Sequence, residues 1–167
     1  MTKRLTKFFF LVALLIVCSS SFAQNGDITG KWKTLDDSEK DAKGNPMPKS
    51  IVEIWKADKD ETIDGIKIKK GAFYGKITKL FDKAKQNNLC TECKKEDARY
   101  NKKIVGMIIV NGLLKIENNM WKADKSILDP NNGKIYDCSM WVENGKLKVR
   151  GYIGMFYRTQ TWERAKD

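Results

Sequence analysis

The sequence contains no histidine, and its 167 residues include only three prolines and four cysteines. Without histidine, a Ser-His-Asp triad, an HExxH zinc site and a His-ligated haem are all excluded. The length leaves room for one domain of ordinary size and not for two. Five tryptophans and an apolar fraction of 41% are enough for a hydrophobic core, which excludes a disordered or fibrous chain.

The N-terminal residues have the pattern of a secretory signal peptide. Three cations within residues 3–7 precede an apolar run over residues 8–17, and small residues follow it. The run is about half as long as a membrane-spanning helix, so a permanent anchor is the less favoured alternative. We therefore predict that residues 1–23 are a signal peptide and that residues 24–167 form the single domain of an exported protein, either periplasmic or secreted.

The predicted exported domain is basic. It carries 29 Lys and Arg against 21 Asp and Glu, a net charge of +8. Only four of the cations are arginine, and the lysines are interleaved with acids, without the basic and aromatic clusters of nucleic-acid-binding modules. We expect solvated strand faces and predict no nucleic-acid partner. Attraction to an anionic envelope surface or an acidic ligand is the alternative that remains open.

Alternating apolar and polar residues, separated by turn signals, predict β-strands along most of this domain. The predicted strands are residues 29–35, 50–57, 66–81, 104–110, 113–116, 120–128, 134–142, 146–153 and 157–164. In residues 146–153 the alternation is regular, with Leu147, Val149 and Gly151 on one side and Arg150 on the other. The preceding pair Asn144-Gly145 suits a type I′ turn.

Other segments predict turns and loops. Pro46 and Pro48 indicate a loop after the first strand, because we expect no strand to include them. Asn111-Gly112 predicts a break between two strands. Residues 82–103 form a long polar connection with at most a short helix around residues 94–100, and such long loops are often functional.

The longest predicted strand, residues 66–81, follows a turn at Asp64-Gly65. Its alternation places Phe73, Ile77 and Lys79 on one side and Leu80 on the other. The position of Lys79 weakens the pattern near the end of the strand.

Each strand is expected to pair with its neighbour in sequence, because turns connect the strands and no helix-length pattern lies between them. About eight strands in this order bury one face by closing into a barrel, which also removes exposed sheet edges. We therefore predict an all-β, antiparallel, up-and-down, lipocalin-like eight-stranded barrel with a short helix in the long loop. An open sandwich is the alternative. An eight-stranded barrel is filled by side chains or holds one small ligand.

A Gly-Lys-Trp sequence begins the first strand, and two arginines flank a tryptophan in the last. This arrangement resembles the lipocalin-like fold, in which a Gly-x-Trp strand start closes the barrel floor and an arginine of the last strand lies over the tryptophan ring. Such a cation-π contact is worth about 0.5 to 2 kcal/mol. The residues to which the resemblance assigns barrel closure are Gly30, Trp32, Arg158, Trp162 and Arg164.

A second resemblance covers nearly the whole predicted domain. Its matching segments are GKWKT at 30–34, SIVEI at 50–54, YGKI at 74–77, CTEC at 90–93, ILDP at 127–130, GKIY at 133–136, LKVRGYIG at 147–154 and RTQTW at 158–162. Together they are similar to the DUF2147 family of small exported bacterial proteins. The resemblance implies a secreted, lipocalin-like barrel with an internal cavity for a small apolar ligand, and it marks residues 58–71 as an inserted hairpin.

The predicted domain holds three cysteines. In an exported protein the spacing of Cys90 and Cys93 favours a structural disulfide, which closes a short loop and adds about 2 kcal/mol. Zinc binding and a thioredoxin-type redox pair are the alternatives, although zinc needs four ligands and the redox pair needs a helix start. Cys138 alternates with Tyr136 and Met140, so we predict a small buried hydrophobe.

We predict a ligand site in which Arg150 and Tyr152 hold an anionic head group and aromatic and aliphatic side chains supply apolar contacts. For Arg150 the alternative is a surface cation. The predicted site consists of Trp55, Phe73, Met107, Trp141, Arg150 and Tyr152, with further apolar contacts from Ile77, Ile109 and Met155.

The predicted function is therefore that of an exported protein that binds a small hydrophobic or amphiphilic molecule in a barrel cavity. We predict no catalytic residues, metal or cofactor; adjacent acids such as Asp36 and Asp37 point to opposite faces of a strand, which is unsuited to acid-base catalysis. The alternative function is a structural or protein-interaction module of the cell envelope, whose barrel is filled and whose basic surface meets a partner.

Overall fold

A computed structural model of the chain describes residues 26–166, without the side chains of residues 36–38. The predicted signal peptide lies outside the described residues. Within them, no helix is long and apolar enough to cross a membrane. The strands are β1 Gly30–Lys40, β2 Pro46–Lys56, β3 Glu61–Ile63, β4 Ile66–Ile68, β5 Phe73–Leu80, β6 Ile108–Glu117, β7 Met120–Asp129, β8 Lys134–Glu143, β9 Lys146–Ile153 and β10 Phe156–Arg164.

Eight of these strands form one closed antiparallel barrel. Around the barrel they follow the order β1, β2, β5, β6, β7, β8, β9 and β10, and β10 pairs with β1. The closing ladder places Trp32 opposite Arg164 and Lys33 opposite Glu163. The structure thus confirms the predicted all-β, up-and-down eight-stranded barrel and excludes the open sandwich.

The other two strands, β3 and β4, form a separate hairpin inserted between β2 and β5. Asp64 and Gly65 make its turn, with φ angles of 49° and 81°, and positive values at both positions suit a type I′ turn. Ile68 of this hairpin packs with Tyr74 and Ile108 in a small core of its own, apart from the main core. The predicted inserted hairpin is therefore confirmed.

The hairpin between β1 and β2 is longer than the sequence predicts. Pro46 and Pro48 lie inside β2, so the expectation that the strand excludes them was wrong. β2 pairs with β5 only from Ser50 onwards, and before that residue it pairs with β1 alone. Proline has no N–H to donate to a neighbouring strand. It is tolerated in a segment that pairs with one strand only, because fewer N–H groups take part in ladder hydrogen bonds there.

Asn111-Gly112 does not separate two strands, as predicted, because β6 runs through both residues. Gly112 has a φ of +73°, at a shift in the register between β6 and β7 that lies between Val110 and Leu114. A bulge of this kind bends a strand and lets pairing continue on both sides. The two strands predicted around this pair are therefore one.

A second bulge reverses the predicted alternation near the end of β5. Ile51 pairs with Lys79 but the next residue, Val52, pairs with Ile77, which leaves Thr78 as the extra residue. Beyond a bulge, side chains change faces. Lys79 is accordingly exposed, and Leu80 turns towards the barrel interior.

The connection between β5 and β6 is the longest in the described residues, as predicted. Its short helix is a 3₁₀ turn at Lys83–Lys85, where the Asp82 side chain accepts a hydrogen bond from the Ala84 N–H. The predicted helix around residues 94–100 is instead a series of separate turns. Arg99 holds this segment against β6, because its Nη1 donates a hydrogen bond to the Ile108 carbonyl.

The main core fills the end of the barrel where β1 begins and β10 ends, which we call the closed end. Trp32, Phe73, Leu113 and Leu147 are each at most 7% exposed there. Phe73 meets Trp121 edge-on, with ring centroids 5.9 Å apart. The opposite end, where β1 ends and the long connection begins, is the open end.

Candidate functional site

A cavity of about 730 Å³ occupies the barrel interior towards the open end. All eight barrel strands contribute to its lining, together with the long connection and the β7–β8 turn. Ligand pockets in proteins commonly have volumes of about 300–1,000 Å³. The barrel therefore encloses enough space for a small molecule.

The inner wall of the cavity is mostly apolar and buried. Its two buried polar residues, Thr34 and Ser50, satisfy each other: their hydroxyl oxygens lie 2.8 Å apart, and the Ser50 N–H donates to Thr34 Oγ1 at 3.0 Å. Such a wall favours a hydrocarbon group over a polar one. The apolar members, each at most 6% exposed, are Ile77, Ile109, Leu128, Val149 and Trp162.

The rim of the cavity is exposed and charged. Most of its charged groups already have partners: Lys85 Nζ lies 3.2 Å from Asp82 Oδ2, and the Asp129 carboxylate accepts hydrogen bonds from Asn131 and Asn132. The charged rim residues are Glu39, Lys49, Asp82, Lys85, Asp129 and Arg158.

Arg158 differs from most of the other charged rim residues. It faces Gly151 across the β9–β10 ladder and lines the cavity, yet its guanidinium makes no hydrogen bond or ion pair with any group that the structure describes. An arginine with free donors is suited to a carboxylate or phosphate, which it binds with two parallel hydrogen bonds. The rim thus offers a free cation above an apolar interior.

None of the six residues predicted to hold a ligand lines this cavity. Arg150 lies on the outer face of the barrel between two aromatic rings, 5.0 Å from the centre of Trp141 and 4.3 Å from that of Tyr157. Its Nε donates to Thr159 Oγ1, and Tyr152 Oη lies 3.3 Å from Ser139 Oγ. Arg150 and Tyr152 lie outside the cavity because side chains alternate along β9, and Leu147, Val149 and Gly151 occupy its inner face.

The other three residues of the predicted site are dispersed. Trp55 packs against Tyr74, with ring centroids 5.9 Å apart, in the small core outside the barrel. Phe73 belongs to the closed-end core, and Met107 is buried where the long connection meets β6. The structure therefore brings together only the outer-face group.

Of the further apolar contacts that the sequence suggested, Ile77 and Ile109 do line the cavity, whereas Met155 is 88% exposed. Arg158 and Gln160, which line the cavity, were not predicted as ligand contacts. A signal for them was present: in β10 they lie four and two residues before the buried Trp162, on the same face of the strand.

Three of the five residues assigned to barrel closure meet at the closed end. The guanidinium of Arg164 stacks on Trp32, and its two terminal nitrogens donate to the carbonyls of Thr29 and Asp27. Gly30 has a φ of +102°, and a Cβ there would lie only 2.8 Å from Arg164 Nη1. Trp162 lies inside the barrel and Arg158 at the open end, so neither takes part in this contact.

Cys90 and Cys93 are joined by a disulfide, and both are buried. The disulfide loop packs on the β7–β8 turn: Cys90 Sγ lies 3.6 Å from the Pro130 carbonyl oxygen, and Gly133 approaches the Glu92 backbone closely. This packing fixes part of the cavity rim. Cys138 is a free thiol, and its burial raises its pKa, which makes it a poor nucleophile.

Comparison with known proteins identifies a family for this chain. No curated protein and no solved structure gives a significant match. Residues 30–164 match a family described as an uncharacterized protein conserved in bacteria, DUF2147. This match begins at the first residue of β1 and ends at the last residue of β10, so it spans the whole barrel. The chain therefore belongs to the DUF2147 family.

Proposed function

We propose that the protein binds a small amphiphilic molecule, with its apolar chain inside the barrel and an anionic head group at Arg158. The observation that carries the proposal is the cavity of about 730 Å³, apolar inside and with an unpaired guanidinium at its rim. Burial of a hydrocarbon chain contributes about 0.8 kcal/mol per CH₂ group. A charge-assisted hydrogen bond to Arg158 would orient the head group.

The cavity also favours this function over the alternative of a filled structural barrel. A barrel that serves only as a scaffold is stabilised by filling its interior with side chains, because empty space forfeits dispersion contacts. Here the closed end is filled and the open end is not. The disulfide supports a site of action outside the cytoplasm, in keeping with the predicted signal peptide.

A direct test is titration of residues 24–167 with a fluorescent long-chain fatty acid, an anionic amphiphile. Arg158→Met is the test variant and Arg150→Met its matched control, because the two arginines lie on adjacent strands but on opposite faces of the barrel wall. We expect Arg158→Met to weaken binding about tenfold or more and Arg150→Met to leave it unchanged. Equal effects, or no binding by the unmodified chain, would refute the proposal.

A cavity-filling variant tests the location independently. A Cβ at Gly151 would meet its nearest neighbour, Tyr136 Cβ, at 3.7 Å, an ordinary contact, and the backbone there does not require glycine. Gly151→Val therefore places a side chain in the cavity without backbone strain. We expect it to weaken fatty-acid binding about tenfold at nearly unchanged stability in urea. A stable variant that binds as well as the original would contradict the proposed location.

A further inference from the structure

The turn between β9 and β10 carries the four most exposed large apolar side chains of the described residues. Met155 is 88% exposed, Phe156 74%, Ile153 62% and Tyr157 61%. We call residues 153–157 the hairpin tip. The turn does not need side chains of this size. Their exposure to water is unfavourable, and burying them against an apolar partner would lower the free energy.

The hairpin tip is continuous with the cavity entrance. Ile153, Phe156 and Tyr157 are exposed on the tip and also line the cavity at its rim. Whatever covers the tip therefore lies directly against the opening through which a ligand enters.

The β9–β10 hairpin itself carries charge of one sign, whereas the acidic residues of the cavity rim come from other segments. The hairpin sequence from 146 to 162 contains four cations and no acidic residue. Two of these cations are close to the tip: Arg150 lies 4.3 Å from the Tyr157 ring, and the unpaired Arg158 follows that residue directly. An apolar projection flanked by arginines complements a bilayer with anionic lipids, in which aromatic and aliphatic side chains enter the interface and the cations meet head groups.

We propose that the hairpin tip docks on the surface of a lipid bilayer that contains anionic lipids. Docking in this way turns the cavity entrance towards the membrane, so that an amphiphile passes between bilayer and barrel with little exposure to water. This passage rests on the proposed function, whereas the docking itself does not.

Flotation with lipid vesicles tests the docking. Residues 24–167 are mixed with vesicles of phosphatidylcholine alone or of phosphatidylcholine with phosphatidylglycerol. The test variant is Met155→Ser with Phe156→Ser. Its matched control is Leu114→Ser with Ile116→Ser, which removes two apolar side chains of 56% and 54% exposure from β6 near the closed end.

We expect the unmodified protein and the control to float with the phosphatidylglycerol vesicles, and the tip variant to bind about tenfold more weakly or worse. Added salt should weaken the binding, because arginines contribute to it. Equal flotation of both variants, or flotation that does not depend on phosphatidylglycerol, would overturn the proposal.

Insertion of the tip has its own signature. An environment-sensitive dye on Phe156→Cys should brighten when phosphatidylglycerol vesicles are added, and a dye on Leu114→Cys should not. Cys138 does not compete for the label because it is fully buried. A dye at position 156 that stays unchanged on vesicles would exclude insertion.

Two further measurements distinguish bilayer docking from dimer formation and from ligand binding. If the tip instead joins two copies of the chain, sedimentation without lipid shows a dimer that the tip variant abolishes, which would refute bilayer docking. Fatty-acid titration and flotation of Met155→Ser alone, whose side chain does not line the cavity, distinguish docking from ligand binding. Retained fatty-acid affinity with lost flotation supports docking as a separate property. Flotation without fatty-acid binding in the unmodified protein refutes the proposed function alone.

Discussion

Arg164 lies over the indole ring of Trp32, with its Cζ 3.9 Å from the ring centre, and the two residues face each other across the ladder that joins the last strand to the first. The same guanidinium donates hydrogen bonds to the carbonyls of Asp27 and Thr29, just before β1. The Arg164 side chain therefore links β10 both to β1 and to the segment that precedes β1.

Replacement of this arginine should destabilise the barrel. We expect Arg164→Met to lower the free energy of unfolding by about 1–3 kcal/mol, because the cation-π contact and two hydrogen bonds are lost together. Arg164→Lys should recover only part of this, since an ammonium cannot stack and donate in the same way. Urea unfolding measures both variants. Arg158→Met in the same strand should change stability little, and a similar loss there would contradict the account.

The close approach of Gly133 to the disulfide loop predicts a difference between two glycines. A Cβ on Gly133 would lie 1.7 Å from the Glu92 carbonyl oxygen, whereas Gly145, with a similar positive φ of +72°, has open space around it. Gly145→Ala should cost about 1 kcal/mol from the backbone alone, and Gly133→Ala about 3 kcal/mol or more. Urea unfolding measures both; equal costs would show that the loop does not pack as described.

The ion pair of the long connection predicts an acid dependence. Hydrogen bonds from Arg99 hold the pKa of Asp97 below its ordinary value of 3.8, and Arg99 Nη1 also donates to the Ile108 carbonyl, which ties the loop to β6. A lowered pKa stabilises the fold above that ordinary value, and the gain is lost as the pH falls through the folded value.

At neutral pH, Asp97→Asn should therefore lower the free energy of unfolding by about 1.5–3 kcal/mol. The difference from the unmodified protein should shrink towards zero as the pH falls below 3.8. Urea unfolding across this pH range measures it. A difference that stays constant down to low pH would show that the carboxylate charge of Asp97 does not stabilise the fold.

Thiol counting checks the cysteines. In residues 24–167, a thiol reagent should find no reactive group in the native protein, because Cys138 is fully buried and its pKa is raised. After unfolding without reductant it should find one, since Cys90 and Cys93 are bonded to each other. Three thiols under those conditions would contradict the disulfide. Its reduction should cost about 2 kcal/mol of stability.

The strand order and the closing seam are predictable from sequence because they depend on local signals. Hairpin turns such as Asn144-Gly145, with φ angles of 51° and 72°, are encoded in adjacent residues, and regular alternation fixes both faces of β9. The bulges are not encoded in this way. Thr78 and Gly112 become visible only when both partner strands are known, yet each changes which side chains face inwards.

The candidate site is predicted less well, and bulges are not the reason for Arg150 and Tyr152. The prediction for these two residues rests on their chemistry, although the alternation that places Val149 inside already sends them outside. Trp55 lies on the outer side of the barrel wall, against Tyr74, where the inserted hairpin adds a second core. The chemistry predicted for the site, an arginine above apolar side chains, does recur at Arg158, but on the neighbouring strand and on the opposite face.

The most direct test of the account is to locate the ligand by photo-crosslinking. A fatty acid that carries a photoreactive group in its chain is bound to residues 24–167, irradiated, and mapped by mass spectrometry of peptides. The account predicts adducts on the inner wall, at Ile109, Val149 or Leu128, and fewer of them in Gly151→Val. Adducts confined to the outer face around Trp141 and Arg150, or no adducts at all, would contradict it.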